Sequence, residues 1–133
     1  MGFQFSTQVR NDFLDALETS VGTSPTLKIW SGSVPANCAA ADTGTTLATM
    51  TLPSDWLAVA SGGTKSLAGT WQDLSADATG TAGFFRIYQG ATCHMQGTIT
   101  VTGGGGDMTL DNTSIASGQQ ITVTSFTLTG GGA

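Results

Sequence analysis

Charged side chains are scarce in this sequence, and positive ones are the scarcest. The 133 residues include nine Asp or Glu and four Lys or Arg, so that 10% are charged and the net charge is −5. Globular proteins average about 25% charged residues. The four cations are scattered singly along the chain: Arg10, Lys28, Lys65 and Arg86. Nucleic acids and anionic membranes both require clustered cations, so neither is expected as a partner.

Long apolar runs and the common catalytic motifs are also missing. No stretch approaches the ~20 apolar residues that span a bilayer. The opening MGFQFSTQVRND lacks the pattern of a secretory signal, so we expect synthesis in the cytoplasm. No P-loop, G-x-S-x-G or H-E-x-x-H pattern occurs. The sequence therefore predicts a non-enzymatic protein with no catalytic residue, metal or cofactor.

Cysteine and histidine are nearly absent, yet two of these residues are adjacent in GATCHMQG. On a strand, Cys93 and Met95 share an apolar face while His94 and Gln96 share the polar one. Adjacent side chains that diverge in this way do not converge on a metal ion or on a reacting atom. The segment therefore predicts a strand rather than a catalytic or metal site.

Cys38 is the one other thiol, which makes Cys38 and Cys93 a candidate disulfide. The bond spans 55 positions and is worth about 4 kcal/mol in the chain-entropy model. A reducing cytoplasm opposes early formation of the disulfide, whereas the thiols could be oxidised after the protein is released from the cell. The sequence does not fix the geometry that such a bond requires.

Threonine and glycine take the place of charge, with 23 and 19 residues respectively. Threonine favours strands because its branched side chain suits a pleated surface. Alternating segments from Leu27 onward, with turns every 8–12 residues, predict a mainly β fold. We expect an antiparallel β-sandwich or jelly-roll with one N-terminal α-helix, forming a single domain over residues 1–133. The glycine run 103–106 predicts a flexible hairpin connection, and the final GGGA a frayed tail.

One helix is predicted over residues 6–21, with Ser6 as N-cap and Gly22 as the stop. Apolar residues at helical spacing predict its buried face: Val9, Phe13, Ala16, Leu17 and Val21. The acids Asp12, Asp15 and Glu18 fall on the other face, which we expect to be solvated.

Aromatic residues supply the candidate partner contacts. Phe3 and Phe5 alternate with polar residues in an N-terminal arm, as in a short added strand. Trp30, Trp56, Trp71 and Tyr88 suit a sugar-binding platform if they are exposed, but a sandwich core or a protein interface is the favoured interpretation. Trp30 and Trp71 lie beside polar strand residues, so one or both are expected to be partly exposed. The candidate contacts are therefore Phe3, Phe5, Trp30 and Trp71.

Four stretches together resemble small virion structural proteins of tailed bacteriophages: FSTQVRNDFLDALE, LKIWSGSVPANCAAADTGTTLATMTLP, GTWQDLSADATGTAGFFRIY and GGGGDMTLDNTSIASGQQITVTSFTLT. The resemblance implies a capsid decoration, or cement, protein that binds the major capsid protein or other virion proteins and stabilises the shell. It implies location in the virion and a homo-oligomer, with a trimer favoured. The alternatives are a small tail, baseplate or fibre-attachment protein, or a host-sugar-binding module. The resemblance carries over no catalytic residue.

Overall fold

The structure is a computed structural model that describes residues 2–133. This part of the chain forms one helix and ten strands. In chain order they are α1 Thr7–Val21, β1 Thr26–Ser31, β2 Thr46–Thr51, β3 Thr64–Ser66, β4 Trp71–Asp73, β5 Gly80–Gln89, β6 Thr92–Val101, β7 Met108–Leu110, β8 Ser114–Ile115, β9 Ile121–Val123 and β10 Thr127–Thr129. The prediction of a mainly β fold with one N-terminal helix is confirmed.

The larger sheet has the strand order β2-β1-β5-β6-β7, and β8 pairs with the start of β5. All of these pairings are antiparallel except that of β6 with β7. The long strands β5 and β6 form the central hairpin, which turns at Gly90 with a φ of +60°. Glycine adopts this left-handed conformation without the steric cost of a side chain.

Two short ladders, β3 with β10 and β4 with β9, form a second layer. The segment QITVTSFTLT divides into β9 and β10, which pair with different strands. Between them Phe126 turns inward, and its ring centroid lies 5.6 Å from those of Trp71 and Phe85. Phe126 thus joins the second layer to the larger sheet in the manner of a β-sandwich.

The glycine run 103–106 connects β6 to β7, which run parallel to each other. β7 lies parallel to β6, with Met108 opposite Ile99, so the predicted hairpin is wrong. The Asp107 carboxylate accepts hydrogen bonds from the Thr98 amide, at 2.9 Å, and from its hydroxyl, at 3.1 Å. Parallel neighbours usually need a crossover of about a dozen residues, and here a short glycine-rich loop fixed by Asp107 suffices.

Close backbone approach explains one glycine of β5. The pairing of β5 with β1 shifts by one residue after Trp30, which leaves Gly83 as the extra residue of a bulge. A Cβ atom on Gly83 would overlap the carbonyl oxygen of Gly32. Because that neighbour is backbone, neither side can move aside without breaking the pairing.

The substitution Gly83→Ala is expected to lower the free energy of unfolding by about 1–3 kcal/mol, the usual cost of forcing extra atoms into a packed site. The measurement is urea unfolding followed by tryptophan fluorescence. Gly131→Ala is the matched control, since nothing lies within 4 Å of a Cβ there, and a change within about 0.5 kcal/mol is expected. Equal midpoints for the two variants contradict the close approach at Gly83.

Candidate functional site

Three phenylalanines meet where the N-terminal arm lies against α1. The ring centroids of Phe3 and Phe5 are 5.2 Å apart, as are those of Phe5 and Phe13, and both pairs are edge-to-face. This geometry suits the quadrupoles of aromatic rings. Phe3 is 67% exposed and Phe13 is 52% exposed. These three residues, here called the aromatic patch, place apolar surface in contact with solvent.

The arm beneath the patch is fixed by the C-terminal segment. The Phe5 amide donates to the Gly132 carbonyl at 2.6 Å, and Arg10 Nε donates to the Gly130 carbonyl at 3.2 Å. The predicted frayed tail is therefore wrong, because these bonds tie the end of the chain to the arm and to α1. Phe5 packs between Phe3 and Phe13, while most of the Phe3 side chain stays exposed.

The helix has its predicted ends, and its predicted apolar stripe is buried only in part. Ser6 caps its start, where the hydroxyl accepts from the Val9 amide at 3.2 Å, and Gly22 ends it. Val21 of the stripe is buried and Leu17 packs against the core, whereas Phe13 is half exposed and Leu14 is buried instead. The helix also turns two acidic side chains toward a buried cation.

That cation is Lys65 of β3, whose side chain is 1% exposed. Its Nζ lies 2.6 Å from Asp15 Oδ1 and 2.9 Å from Glu18 Oε1. Asp15 Oδ1 also accepts from the Ala60 amide at 3.1 Å. Asp15 and Glu18 keep contact with solvent, with side chains 44% and 22% exposed. Three positions apart on one helix face, they also neutralise the buried ammonium, a role that the predicted solvated surface did not include.

The pKa shifts of this cluster favour its charged form. Hydrogen bonds from Lys65 and from the Ala60 amide hold the pKa of Asp15 below its ordinary value of 3.8. Burial acts to lower the pKa of Lys65, but hydrogen bonds to Asp15 and Glu18 outweigh it and raise that pKa above 10.5. The ion pair of Asp15 and Lys65 therefore contributes its full stability between pH 3.8 and pH 10.5. This stability is lost as the pH falls through the lowered pKa of Asp15 or rises through the raised pKa of Lys65.

The tryptophans lie inside the protein. Trp71 is 0% exposed, and its indole N–H donates to the carbonyls of Trp56, at 3.2 Å, and Ala68, at 3.1 Å. Trp30 is 7% exposed and stacks on Phe84 with centroids 6.0 Å apart. The prediction that Trp30 and Trp71 contact a partner is corrected, because packing has removed their rings from the surface. Trp56 is also 0% exposed, so the tryptophans form no exposed sugar platform.

The larger sheet has an inner face toward the second layer and an outer face on the opposite side. Because paired antiparallel residues share a face, the pairing of Lys28 with Arg86 places both on the outer one. Lys28 Nζ lies 5.5 Å from the ring centroid of Tyr88. Residues 32–45, here called the outer loop, join β1 to β2 and fold over part of this face.

Arg86 and Gln96 hold the outer loop through its carbonyls. Arg86 is 3% exposed, and its Nη2 donates to Asn37 O at 3.1 Å and to Ala40 O at 2.8 Å. Its Nε donates to Gln96 Oε1 at 3.1 Å, and Gln96 Nε2 donates to Pro35 O at 2.7 Å. Within residues 2–133, Arg86 forms no ion pair with a carboxylate. Its hydrogen bonds go to neutral carbonyl and amide oxygens instead.

A disulfide joins the outer loop to β6 through Cys38 and Cys93. Their Cα atoms are 5.4 Å apart, within the range of 4.4–6.8 Å that such bonds usually span. The two candidate thiols therefore serve as a cross-link, and His94 beside them is exposed.

A bulge in β6 aims Cys93 at the loop. Ile87 pairs with Met95 but Tyr88 pairs with Cys93, so that His94 is the extra residue. The predicted alternation, with Cys93 and Met95 on one face, is wrong because the bulge turns Cys93 to the outer face.

The sequence analysis did not assign a role to two lone cations that are buried in the structure, Lys65 and Arg86. Arg86 interrupts the aromatic strand FFRIY, and a charged residue in such a setting is fully buried only when it is paired. Lys65 follows the polar turn SGGT, which gives no such signal. The partner itself depends on tertiary contacts: Asp15 lies 50 positions from Lys65, and Asn37 lies 49 from Arg86.

Comparison of the chain with protein-family models, with curated proteins and with solved structures finds no match. Within residues 2–133, no three His, Cys, Asp or Glu side chains converge as a metal site requires. The helix that this part of the chain contains is too short and too polar for a bilayer crossing.

The substitution Asp15→Asn is expected to destabilise the protein at pH 7 and to matter less as the pH falls. The folded-state pKa of Asp15 is lowered, so its contribution is present above pH 3.8 and is lost as the pH falls through that lower pKa. Thermal unfolding between pH 7 and pH 2 measures the difference from wild type. Asp12→Asn, at an exposed position of α1, is the control, and a pH-independent cost of Asp15→Asn argues against the ion pair.

Replacing both cysteines with serine is expected to reduce the free energy of unfolding by about 4 kcal/mol, the chain-entropy value for a loop of this length. Chemical unfolding of the oxidised wild type and of the double variant measures this loss. Wild type treated with dithiothreitol is the matched control and should coincide with the variant. If oxidised wild type and variant unfold at the same denaturant concentration, the disulfide does not contribute.

Proposed function

We propose that the chain is a non-enzymatic structural protein of a bacteriophage virion, which decorates the capsid by binding the major capsid protein. The observation that carries the proposal is the aromatic patch of Phe3, Phe5 and Phe13. Aromatic side chains are enriched at protein interfaces and depleted from free surfaces. The resemblance of the sequence to small virion proteins supports the choice of a capsid as the partner.

The way in which the patch is mounted supports a role in binding. Phe5 is tied to Gly132, and α1 is anchored by Lys65, so the exposed rings stand on a fixed base. A site fixed in advance loses less conformational entropy when it binds. Repeated copies on a shell also gain strength from simultaneous contacts at fixed spacing.

The remaining surface suits a module among protein neighbours. Lys65 and Arg86 are buried, so half of the four cations contribute little to the surface, and the net charge is −5. An acidic surface of this kind complements a basic partner and disfavours nucleic acid. We place the protein on the outside of the shell as a homo-oligomer, with a trimer at a local threefold axis as the simplest arrangement.

The first experiment counts copies of the protein in purified virions by quantitative mass spectrometry. A capsid decoration protein should be present in numbers comparable with those of the major capsid protein, and capsids stripped of it should burst at a lower temperature. A few copies per particle would move the assignment to a tail or baseplate component, and absence from the particle would overturn the proposal.

The second experiment measures rebinding to stripped capsids by the variant Phe3→Ser with Phe13→Ser. Loss of aromatic contacts at the centre of an interface costs about 2 kcal/mol or more, so affinity should fall at least about 30-fold. Val59→Ser, at a valine that is 79% exposed, is the matched control and should bind like wild type. Equal loss in the two variants would mean that the aromatic patch is not the contact surface.

A further inference from the structure

Noncovalent contacts hold the outer loop on both sides of Cys38. Gln96 binds the carbonyl of Pro35, and Arg86 binds those of Asn37 and Ala40. The loop residues thus anchored lie three positions before Cys38, one before it and two after it. A thiol carried on so short an anchored segment has little freedom to leave its position.

The turn that contains Cys38 is also fixed internally. The Asn37 side-chain Oδ1 accepts from the amides of Ala39, at 2.9 Å, and Ala40, at 3.0 Å. The Ala40 amide also donates to the Asn37 carbonyl at 3.1 Å. Asparagine forms this local turn without any help from a distant bond, so the shape of the turn does not depend on the disulfide.

The anchors and the second thiol stand on the same hairpin. Arg86 and Gln96 are cross-strand partners, and Cys93 lies three residues before Gln96. The bulge at His94 turns Cys93 to the outer face, where the loop is held. The contacts that position Cys38 and the strand that carries Cys93 therefore belong to one rigid unit.

We propose that Arg86 and Gln96 template the disulfide. They dock the outer loop while both cysteines are reduced, and the disulfide then forms between thiols that are already close together. Folding in a reducing compartment needs no disulfide, and exposure to an oxidising medium adds one. This inference is independent of the proposed role in a virion.

The chemistry requires a small-molecule disulfide such as oxidised glutathione. A cysteine thiolate attacks one glutathione sulfur and expels a glutathione thiolate, forming a mixed disulfide. The second cysteine thiolate attacks the protein sulfur of that intermediate and expels the other glutathione thiolate. The protons released by the two cysteines are taken up by the two glutathione thiolates. The cysteine pair is oxidised by two electrons, and one glutathione disulfide is reduced to two thiols.

The test is the equilibrium of the full-length protein with glutathione redox buffers, read by alkylation of free thiols and intact mass. Gln96→Met removes both hydrogen bonds of that side chain, and Arg86→Met removes the buried guanidinium. A hydrogen bond to a charged group stabilises by more than the free energy that corresponds to a tenfold change in an equilibrium constant. Each variant should therefore shift the equilibrium toward dithiol by at least about tenfold. Val101→Thr, at an exposed position of the same strand, is the matched control and should leave the equilibrium unchanged.

Near-ultraviolet circular dichroism of the variant with both cysteines replaced by serine is the second measurement. Retention of the wild-type aromatic signal supports a loop and fold formed before oxidation, and loss of that signal overturns the proposal. If Gln96→Met and Arg86→Met both match Val101→Thr in the glutathione equilibrium, the templating role is also refuted. If Arg86→Met does not fold, Gln96→Met alone decides the outcome.

Discussion

The ammonium of Lys65 sets the position of the helix and of everything attached to it. A cation removed from water is tolerated only with close counter-charges and satisfied hydrogen bonds. Asp15 and Glu18 supply both from one face of α1. The helix therefore has one favourable rotation about its axis, in which these two carboxylates point inward. The arm that precedes the helix and the C-terminal segment bound to that arm are placed as a consequence.

The outer face meets the same constraint with different chemistry. Arg86 is also buried, but its donors are met by loop carbonyls and an amide oxygen rather than by carboxylates. A planar guanidinium with several donors can organise a chain segment whose backbone oxygens converge on it. Arg86 thus holds the outer loop through its carbonyl oxygens, on both sides of the cysteine that forms the disulfide with Cys93.

Local sequence patterns predicted what local physics determines. The ends of α1 at Ser6 and Gly22 follow from capping chemistry, and the structure has them. The patterns failed where contacts distant in sequence decide the outcome. A one-residue bulge at His94 reversed the face of Cys93, and Lys65 made Asp15 the partner of a buried charge. Neither a register shift nor a partner 50 positions away leaves a periodic signal.

The failed prediction for the helix bears directly on function. Had the whole apolar stripe of α1 been buried, Phe13 would lie in the core and the arm would have no aromatic ring to pack against. Because Asp15 and Glu18 turn toward Lys65, Phe13 is left half exposed and packs against Phe5, which packs against Phe3. A buried polar contact on one side of the helix thus creates an apolar surface on the other, and that surface requires an external partner if it is to be buried.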